Sequence, residues 1–205
     1  MGMREHWDRV YQTKAADQVS WFRPHLETSL AEVERAAKDR SAFIIDIGGG
    51  ASTLVDDLLD HGYRNLTVLD ISQTAIDLAK KRLSEAAASV EWLCAEVTQA
   101  PLLENHYDVW HDRAVFHFLT KRSERLAYAA RASSAIKAGG HLILSAFGPE
   151  GPERCSGLNT MRYDAESLQR ELGTGFQLIE SSIDWHRTPS GAMQQFLHCH
   201  FRLER

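Results

Sequence analysis

The sequence predicts an α/β protein built on one doubly wound, seven-stranded, mostly parallel sheet that closes with an antiparallel C-terminal hairpin. Short continuous apolar runs alternate with segments of helical spacing, as in sheets covered on both faces by helices. A glycine-rich segment follows the first apolar run. Only residues 187–191 join the last two runs, which is too short for a crossover helix and predicts an antiparallel pair.

Each element is placed from its own pattern. Apolar runs predict strands at 42–47, 66–71, 90–93, 107–111, 141–147, 176–185 and 194–203. Helical spacing predicts helices from about 27, at 52–61, at 72–83 with Ser72 as N-cap, at 124–136, and at 164–172 with Asp164 as N-cap. Gly139 and Gly140 are expected to separate the helix at 124–136 from the next strand.

Length and composition indicate one globular domain. The chain has 205 residues, of which 43% are hydrophobic and 25% charged, and its formal net charge is -5. A mildly acidic chain without a run of Lys and Arg has no general attraction for nucleic acid or anionic membranes, so neither is an expected partner. We divide the domain into an N-terminal segment at 1–40 and a sheet region at 41–205.

The cysteines and the N-terminus bear on the compartment. Cys94, Cys155 and Cys199 are widely spaced and form no CxxC pair, which favours reduced thiols over disulfides or a zinc site, and no metal is expected. The N-terminus is polar, and no apolar run approaches the roughly 20 residues that span a bilayer. We therefore expect a cytoplasmic protein.

The most informative motif is Asp46-Ile47-Gly48-Gly49-Gly50-Ala51-Ser52, which follows the first predicted strand and opens a helix. Glycines at such a turn let the backbone approach a ligand closely, beyond the carboxyl ends of the strands. Asp70 ends the next strand, 20 residues after Gly50, where a carboxylate accepts hydrogen bonds from both hydroxyls of a ribose. The arrangement predicts a nucleoside ligand.

The residues around the loop narrow the choice of nucleoside. Thr53 stands where a dinucleotide fingerprint has its third glycine, and the loop has no lysine of the kind that a P-loop requires. The carboxylate of Asp46 is unfavourable beside a pyrophosphate but favourable beside an α-ammonium group.

On these residues the chain resembles the class I S-adenosylmethionine-dependent methyltransferases, over roughly residues 42–203. The resemblance implies S-adenosylmethionine as the cofactor. It implies that the loop holds the amino acid part of the cofactor, Asp70 its ribose, and the segment after the third strand its adenine. The residues implied are Asp46, Gly48, Gly50 and Ser52 in the loop, Asp70 and Ile71 after the second strand, and Glu96 and Val97 after the third.

The end of the fourth strand carries the candidate catalytic residues. Asp112-Arg113-Ala114-Val115 lacks the Asn/Asp-Pro-Pro-Tyr/Phe pattern of many nucleic-acid and amide N-methyltransferases. It is similar instead to the Asp-Arg-Gly-Ala and Asp-Lys-Gly-Thr patterns of thiopurine and thiol methyltransferases and of some protein-lysine methyltransferases. Arg113 offers a fork of donors to a substrate or to the cofactor carboxylate, or forms a surface ion pair. Asp112 orients Arg113 or binds the cofactor ammonium, and His117 is a general base or a packed core residue.

An aromatic group precedes the sheet. The group consists of Trp7, Tyr11, Trp21 and Phe22, with Val19 beside them. These residues continue neither a clear strand nor a long helix, and we expect a lid over the cofactor, with Trp21 in contact with it, or a flap packed on the core. The loops at 148–157 and 186–191 are expected to frame the substrate entrance, with Cys155 as a structural residue.

Three functions stay open at the level of sequence. The first is a methyltransferase that acts on a sulfur, oxygen or nitrogen atom of a small molecule. The second is a protein-lysine methyltransferase, suggested by the pattern at the fourth strand. The third is a non-catalytic nucleotide-binding scaffold, which would not need Asp46, Gly48, Gly50 and Asp70.

Overall fold

The computed structural model describes residues 2–204, in which seven strands pair into one sheet. The first five strands are β1 Phe43–Ile47, β2 Asn65–Asp70, β3 Val90–Cys94, β4 Tyr107–Arg113 and β5 Ile136–Phe147. A small ribbon of β6 Arg154–Cys155 and β7 Leu158–Asn159 comes next, followed by β8 Phe176–Arg187 and β9 Met193–Leu203. The sheet order is β3-β2-β1-β4-β5-β9-β8, with β1 to β5 parallel and β9 antiparallel to both of its neighbours. The predicted fold class is confirmed.

Helices cover both faces of the sheet. The α-helices of residues 2–204 are α1 Met3–Thr13, α2 Glu27–Ala36, α3 Leu54–Asp60, α4 Gln73–Leu83, α5 Arg122–Ala135 and α6 Ala165–Leu172. Ser72 and Asp164 act as N-caps, as predicted: the Ser72 hydroxyl accepts a bond from Ala75 N, and the Asp164 carboxylate from Ser167 N. Within residues 2–204 no helix is both long and apolar enough to cross a membrane.

The hydrophobic core has two layers because consecutive strand residues point to opposite faces. Ile45, Trp110 and Leu142 pack with α5 and α6 on one face. Ile44 and Val109 pack with α2 and α3 on the other. Strands buried on both sides in this way explain the continuous apolar runs of the sequence.

Two expectations about local structure are wrong. The segment with Trp7 and Tyr11 is an α-helix of 11 residues, because these aromatic residues are spaced to share one helix face. Gly139 and Gly140 do not separate a helix from a strand but lie inside β5, which begins at Ile136 and pairs with β4 through a register shift. Gly139 has φ +75°, a conformation that glycine adopts without strain.

A buried hydrogen-bond chain crosses the α5 side of the core. Trp110 Nε1 donates to the Tyr128 hydroxyl at 2.9 Å, and that hydroxyl donates to Asp112 Oδ2 at 2.7 Å. All three side chains are buried, so each hydrogen bond replaces water that cannot reach the site. Tyr128 therefore satisfies a donor on one side and an acceptor on the other.

We predict that Tyr128→Phe lowers the free energy of unfolding by about 2–4 kcal/mol, because it leaves the Trp110 indole nitrogen and the Asp112 carboxylate buried without their partner. Urea denaturation measures the change. Tyr163→Phe is the matched control, since the buried Tyr163 hydroxyl has no hydrogen-bond partner among residues 2–204. We expect Tyr163→Phe to change stability by less than about 1 kcal/mol. If the two variants lost equal amounts of unfolding free energy, the hydrogen bonds of Tyr128 would not be the source of the stabilisation.

Candidate active site

One cavity of about 280 Å³ lies beyond the carboxyl ends of β1 to β5. Its cofactor end, as we call it, is formed by residues at or just after the carboxyl ends of the first three strands: Gly48, Leu69, Asp70, Ile71, Ala95, Glu96 and Val97. Its aromatic end is formed by Trp7, Tyr11, Trp21, Phe118, Phe147 and Phe196, with Arg113, His117 and Cys155. Parallel strands bring these segments together because their carboxyl ends meet at one edge of the sheet.

The glycine loop forms a tight cradle beside the cavity. Gly48 has φ +68°, and a Cβ there would collide with the side chain of Val115. A Cβ on Gly49 would collide with the Asp46 carboxylate, and one on Gly50 would lie 2.5 Å from both Ala75 Cβ and Asp70 Oδ2. Each of the three positions therefore needs a residue without a side chain.

Asp70 is held by the backbone at the cofactor end. Its Oδ2 accepts a hydrogen bond from Gly50 N at 3.0 Å and its Oδ1 one from Ser72 N at 2.8 Å. Each carboxylate oxygen has a second lone pair for a ligand hydroxyl. Burial raises the pKa of Asp70 to about 6, against the lowering effect of these two N–H groups.

Asp46 lies behind the glycine loop in contact with His111. Asp46 Oδ1 and His111 Nδ1 are 2.7 Å apart, and both side chains are buried. Asp46 Oδ2 is buried without a hydrogen-bond partner among residues 2–204. A buried carboxylate oxygen without a partner is unusual and fits a cationic ligand group beside the loop.

The remaining residues predicted to bind cofactor fall into two groups. Trp21, Ile71, Glu96 and Val97 line the cavity, together with Gly48 and Asp70. The hydroxyl of Ser52 instead accepts a bond from Leu54 N at the start of α3, and Ser52, like Asp46 and Gly50, is not in the cavity wall.

Asp112 does not face the cavity. Its Oδ1 accepts a hydrogen bond from Val115 N at 2.9 Å, and its Oδ2 accepts the Tyr128 hydroxyl proton. It therefore shapes the turn after β4 rather than contacting Arg113. That turn places Ala114 at φ +74°, which explains why the pattern it resembles has glycine at this position.

Arg113 ends β4 between the main cavity and a smaller one that also contacts Arg23 and His186. Its Nη1 donates to the backbone carbonyl of Trp21 at 3.0 Å, and the guanidinium lies 5.6 Å from the Phe196 ring centroid. Burial lowers the pKa of Arg113 to about 10, so it stays protonated at neutral pH. The alternative of a surface ion pair is wrong, because none of the ion pairs in residues 2–204 includes Arg113.

His117 is fully buried in the cavity wall. Its ring stacks on Phe147, with centroids 4.1 Å apart, and its Nδ1 accepts a hydrogen bond from Phe147 N at 3.2 Å. Its Nε2 has no hydrogen-bond partner among residues 2–204. Burial, and then the nearby charge of Arg113, lower the pKa of His117 to about 3.

Two groups of residues in the site were not predicted from the sequence. His111 was not chosen, although its position in β4 is paired with Asp46 in β1, so neighbouring strand ends supplied the signal. Phe147 and Phe196 of the aromatic end belong to the paired strands β5 and β9. They reach the site because β5 and β9 are neighbours in the sheet. Local sequence patterns predict the strands but not which side chains of paired strands meet.

Comparison with known proteins is consistent with this geometry. Residues 44–140 match a family model described as a methyltransferase domain. A malonyl-[acyl-carrier protein] O-methyltransferase of Anoxybacillus flavithermus is 36% identical over 107 residues, which are 51% of this chain and 39% of that protein. The human EEF1A lysine methyltransferase 2 is 24% identical over 202 residues, covering 88% of this chain and 76% of that protein.

Solved structures share the fold. A Burkholderia thailandensis 1,6-didemethyltoxoflavin-N1-methyltransferase with bound S-adenosylhomocysteine has a TM-score of 0.70 at 18% identity, covering 98% of this chain and 84% of that one. A structure concerned with conversion of a disulfide into a thioacetal in echinomycin biosynthesis has a TM-score of 0.79 at 18% identity, covering 99% and 94%. The methyltransferase-domain match over residues 44–140 and these relatives support a place for the chain among the S-adenosylmethionine-dependent methyltransferases. The chain spans well under half the length of the A. flavithermus relative.

We predict that binding of S-adenosylhomocysteine weakens as the pH falls through about 6, because a protonated Asp70 accepts ribose hydroxyl bonds poorly. With a pKa of about 6, affinity should be about tenfold lower at pH 5 than at pH 7. Isothermal titration calorimetry measures this dependence. In Asp70→Asn, affinity should be about 10- to 100-fold lower at pH 7 and nearly independent of pH.

Asp77→Asn is the control for that experiment, because it removes one carboxylate from the exposed face of α4 while leaving the cavity intact. It should keep both the affinity and the pH dependence of the unmodified protein. A pH dependence that survives in Asp70→Asn would assign the titration to another group.

Proposed function

We propose that the chain is an S-adenosylmethionine-dependent methyltransferase that methylates a sulfur, oxygen or nitrogen atom of a small molecule. The observation that carries the proposal is the continuity of one cavity from the glycine loop to the aromatic end. When bound, the cofactor supplies an electrophilic methyl group on a sulfonium sulfur. A cofactor at one end and an acceptor at the other would be held in contact, which removes most of the entropic barrier to reaction.

The cofactor end suits each part of this ligand. We assign the ribose to Asp70 and the α-ammonium group to the Asp46 oxygen that lacks a partner. The adenine would pack against Ile71 and Val97, with Glu96 at its polar edge. Ser52 and Asp112 support this end indirectly, through the backbone of α3 and of the turn after β4.

The aromatic end supports a small acceptor. Trp7 contacts Trp21 and Phe118 edge to face, with ring centroids 5.6 and 5.1 Å apart. Helix α1 thereby covers the cavity with aromatic surface, which excludes water and places ring faces near a sulfonium. Trp21 is the side chain that we expect to contact the cofactor methyl region.

A protein-lysine methyltransferase is the second candidate. It is favoured by the similarity of 88% of the chain to the human EEF1A lysine methyltransferase 2. The non-catalytic scaffold is disfavoured, because the cradle of Gly48, Gly49 and Gly50 beside Asp70 is built for a ligand. We also propose a cytoplasmic location, in keeping with three free cysteines.

The two candidates are separated by incubating the purified protein with methyl-tritiated S-adenosylmethionine and a cell extract, then dividing the label into protein and small-molecule fractions. We expect the label in small molecules, and Asp70→Asn should abolish most of it. Label confined to protein would support the second candidate, and no transfer above the Asp70→Asn background would reject both.

We predict that Arg113→Ala lowers the rate of label transfer by about 10- to 100-fold while the melting temperature changes little, because the guanidinium faces ligand space more than core. Arg23→Ala is the matched control. It also removes a cation, yet Arg23 pairs with Asp184 and lies beside the smaller cavity only. If Arg23→Ala lowered the rate as much as Arg113→Ala, the effect would come from the loss of positive charge in general and not from a contact between Arg113 and a ligand.

A further inference from the structure

The aromatic end contains a cation that lacks a counter-ion. The Arg113 guanidinium is mostly enclosed, and no carboxylate in residues 2–204 forms an ion pair with it. Its contacts are a backbone carbonyl and the face of an aromatic ring. Asp46 and Asp184 act on this cation only through space, without direct contact. A mostly enclosed cation without a contacting anion fits a ligand that brings the negative charge.

His117 is a hydrogen-bond donor at the same end. A neutral imidazole carries one proton, and Nδ1 is the nitrogen without it because it accepts the Phe147 N–H. The proton therefore resides on Nε2, the nitrogen without a protein partner. In this tautomer Nε2 cannot accept a proton from a substrate, which argues against the general-base role expected from sequence.

No other group at the aromatic end is arranged as a base. Burial raises the pKa of the Tyr11 hydroxyl and of the Cys155 thiol, so both are protonated donors at neutral pH. Lys121 and Glu124 also line the cavity, but they pair with each other at its exposed edge. The carboxylates of Asp70 and Glu96 belong to the cofactor end.

The groups behind Arg113 do not supply a base either. Arg23 donates to Asp184 and to His186 Nδ1, and His186 Nε2 lies 2.7 Å from the Ser20 carbonyl oxygen. His198 Nδ1 is bonded to the Ser145 hydroxyl beneath the sheet surface. The Asp184 carboxylate, which also acts on Arg113, is paired with Arg23, and the other side chains are cationic or hydrogen-bonded imidazoles. None of them is arranged as a proton acceptor for the substrate.

We infer that Arg113 and the Nε2–H of His117 bind the methyl acceptor as an anion, so the enzyme selects nucleophiles that are already ionised, aromatic thiolates in particular. The inference rests on the proposed small-molecule function. A thiolate gives up hydration on entering an aromatic cavity, and the Arg113 guanidinium together with the Nε2–H of His117 would offset that cost. Its electron pair forms the new carbon–sulfur bond as the methyl–sulfonium bond breaks, the released pair stays on the cofactor sulfur, and no proton moves.

The first test is the pH dependence of kcat/KM for acceptors of graded acidity, with S-adenosylmethionine saturating at every pH so that titration of Asp70 does not shape the profile. The probes are 4-nitrothiophenol, thiophenol and benzyl mercaptan, whose thiol pKa values rise in that order, with benzylamine as a neutral-amine comparison. We expect the acid limb of each profile to follow the pKa of that thiol, and benzylamine to be methylated far more slowly. A limb at one fixed pH for all three thiols would reveal an enzyme base and overturn the inference.

The second test uses binding alone. The affinity of 4-nitrothiophenol for the S-adenosylhomocysteine complex is measured at pH 7 by quenching of tryptophan fluorescence. His117→Asn keeps an acceptor near Phe147 N but lacks the Nε2–H donor, and it should bind about 10- to 100-fold more weakly. His117→Gln carries an amide donor near the Nε2 position and should recover most of that affinity.

Controls separate this role from a structural one. S-adenosylhomocysteine affinity should be unchanged in His117→Asn and in Arg113→Met. His117→Asn and His117→Gln should lower the melting temperature to a similar extent, because both lose the ring that stacks on Phe147. Unaltered thiolate binding in His117→Asn, or loss of S-adenosylhomocysteine binding in Arg113→Met, would overturn the pair as an acceptor site.

The experiment with labelled cofactor and cell extract tests the proposed small-molecule function independently of the thiolate inference. Labelled small molecules together with inert thiols would reject the thiolate inference and leave the small-molecule function standing. Label in protein alone would reject the small-molecule function itself.

Discussion

Asp70 joins the three segments that make the cofactor end. Its carboxylate accepts N–H bonds from Gly50 in the loop after β1 and from Ser72 at the start of α4, and its backbone carbonyl accepts one from Ala95 after β3. The loop, the helix and the segment after the third strand are therefore fixed relative to one residue. The residues after the first three strands that we assign to the cofactor depend on this arrangement.

The two ends of the cavity have opposite electrostatic character. The cofactor end presents the Asp70 carboxylate, with the buried Asp46 carboxylate behind the glycine loop, and this acidic character suits ribose hydroxyls and an ammonium group. The aromatic end presents Arg113 and an imidazole N–H, which suits an electron-rich acceptor. Opposed ends of this kind orient two ligands without a dedicated catalytic acid or base, because attack on a sulfonium needs alignment and exclusion of water above all.

The fold was predictable because its signals are local. Continuous apolar runs indicated strands buried on both faces, and the short joint after β8 indicated the antiparallel end. Helix α1 was missed because its aromatic residues face the cavity, leaving a segment with few core residues. Gly139 and Gly140 misled the prediction because a bulge in β5 uses glycine as readily as a turn does.

The sequence predicted the kind of cofactor, but it did not predict the hydrogen-bond contacts of the individual side chains. Glycine spacing and a terminal acid identified the cofactor end because both follow from chain order. The tautomer of His117 depends on an N–H from β5, and the orientation of Asp112 on a hydroxyl from α5. Both contacts join segments distant in sequence, so only coordinates assign their roles.

The antiparallel run of β9 has a practical consequence for handling the protein. The chain leaves the sheet near the paired residues His141 and Arg202, at the amino end of the parallel strands, whereas Met3 of α1 lies in the cavity wall. A fluorescent label attached at Met3 would sit against the site. A label attached at the end of β9 would lie at the opposite ends of the strands from the cavity, which makes that position the better one for immobilisation.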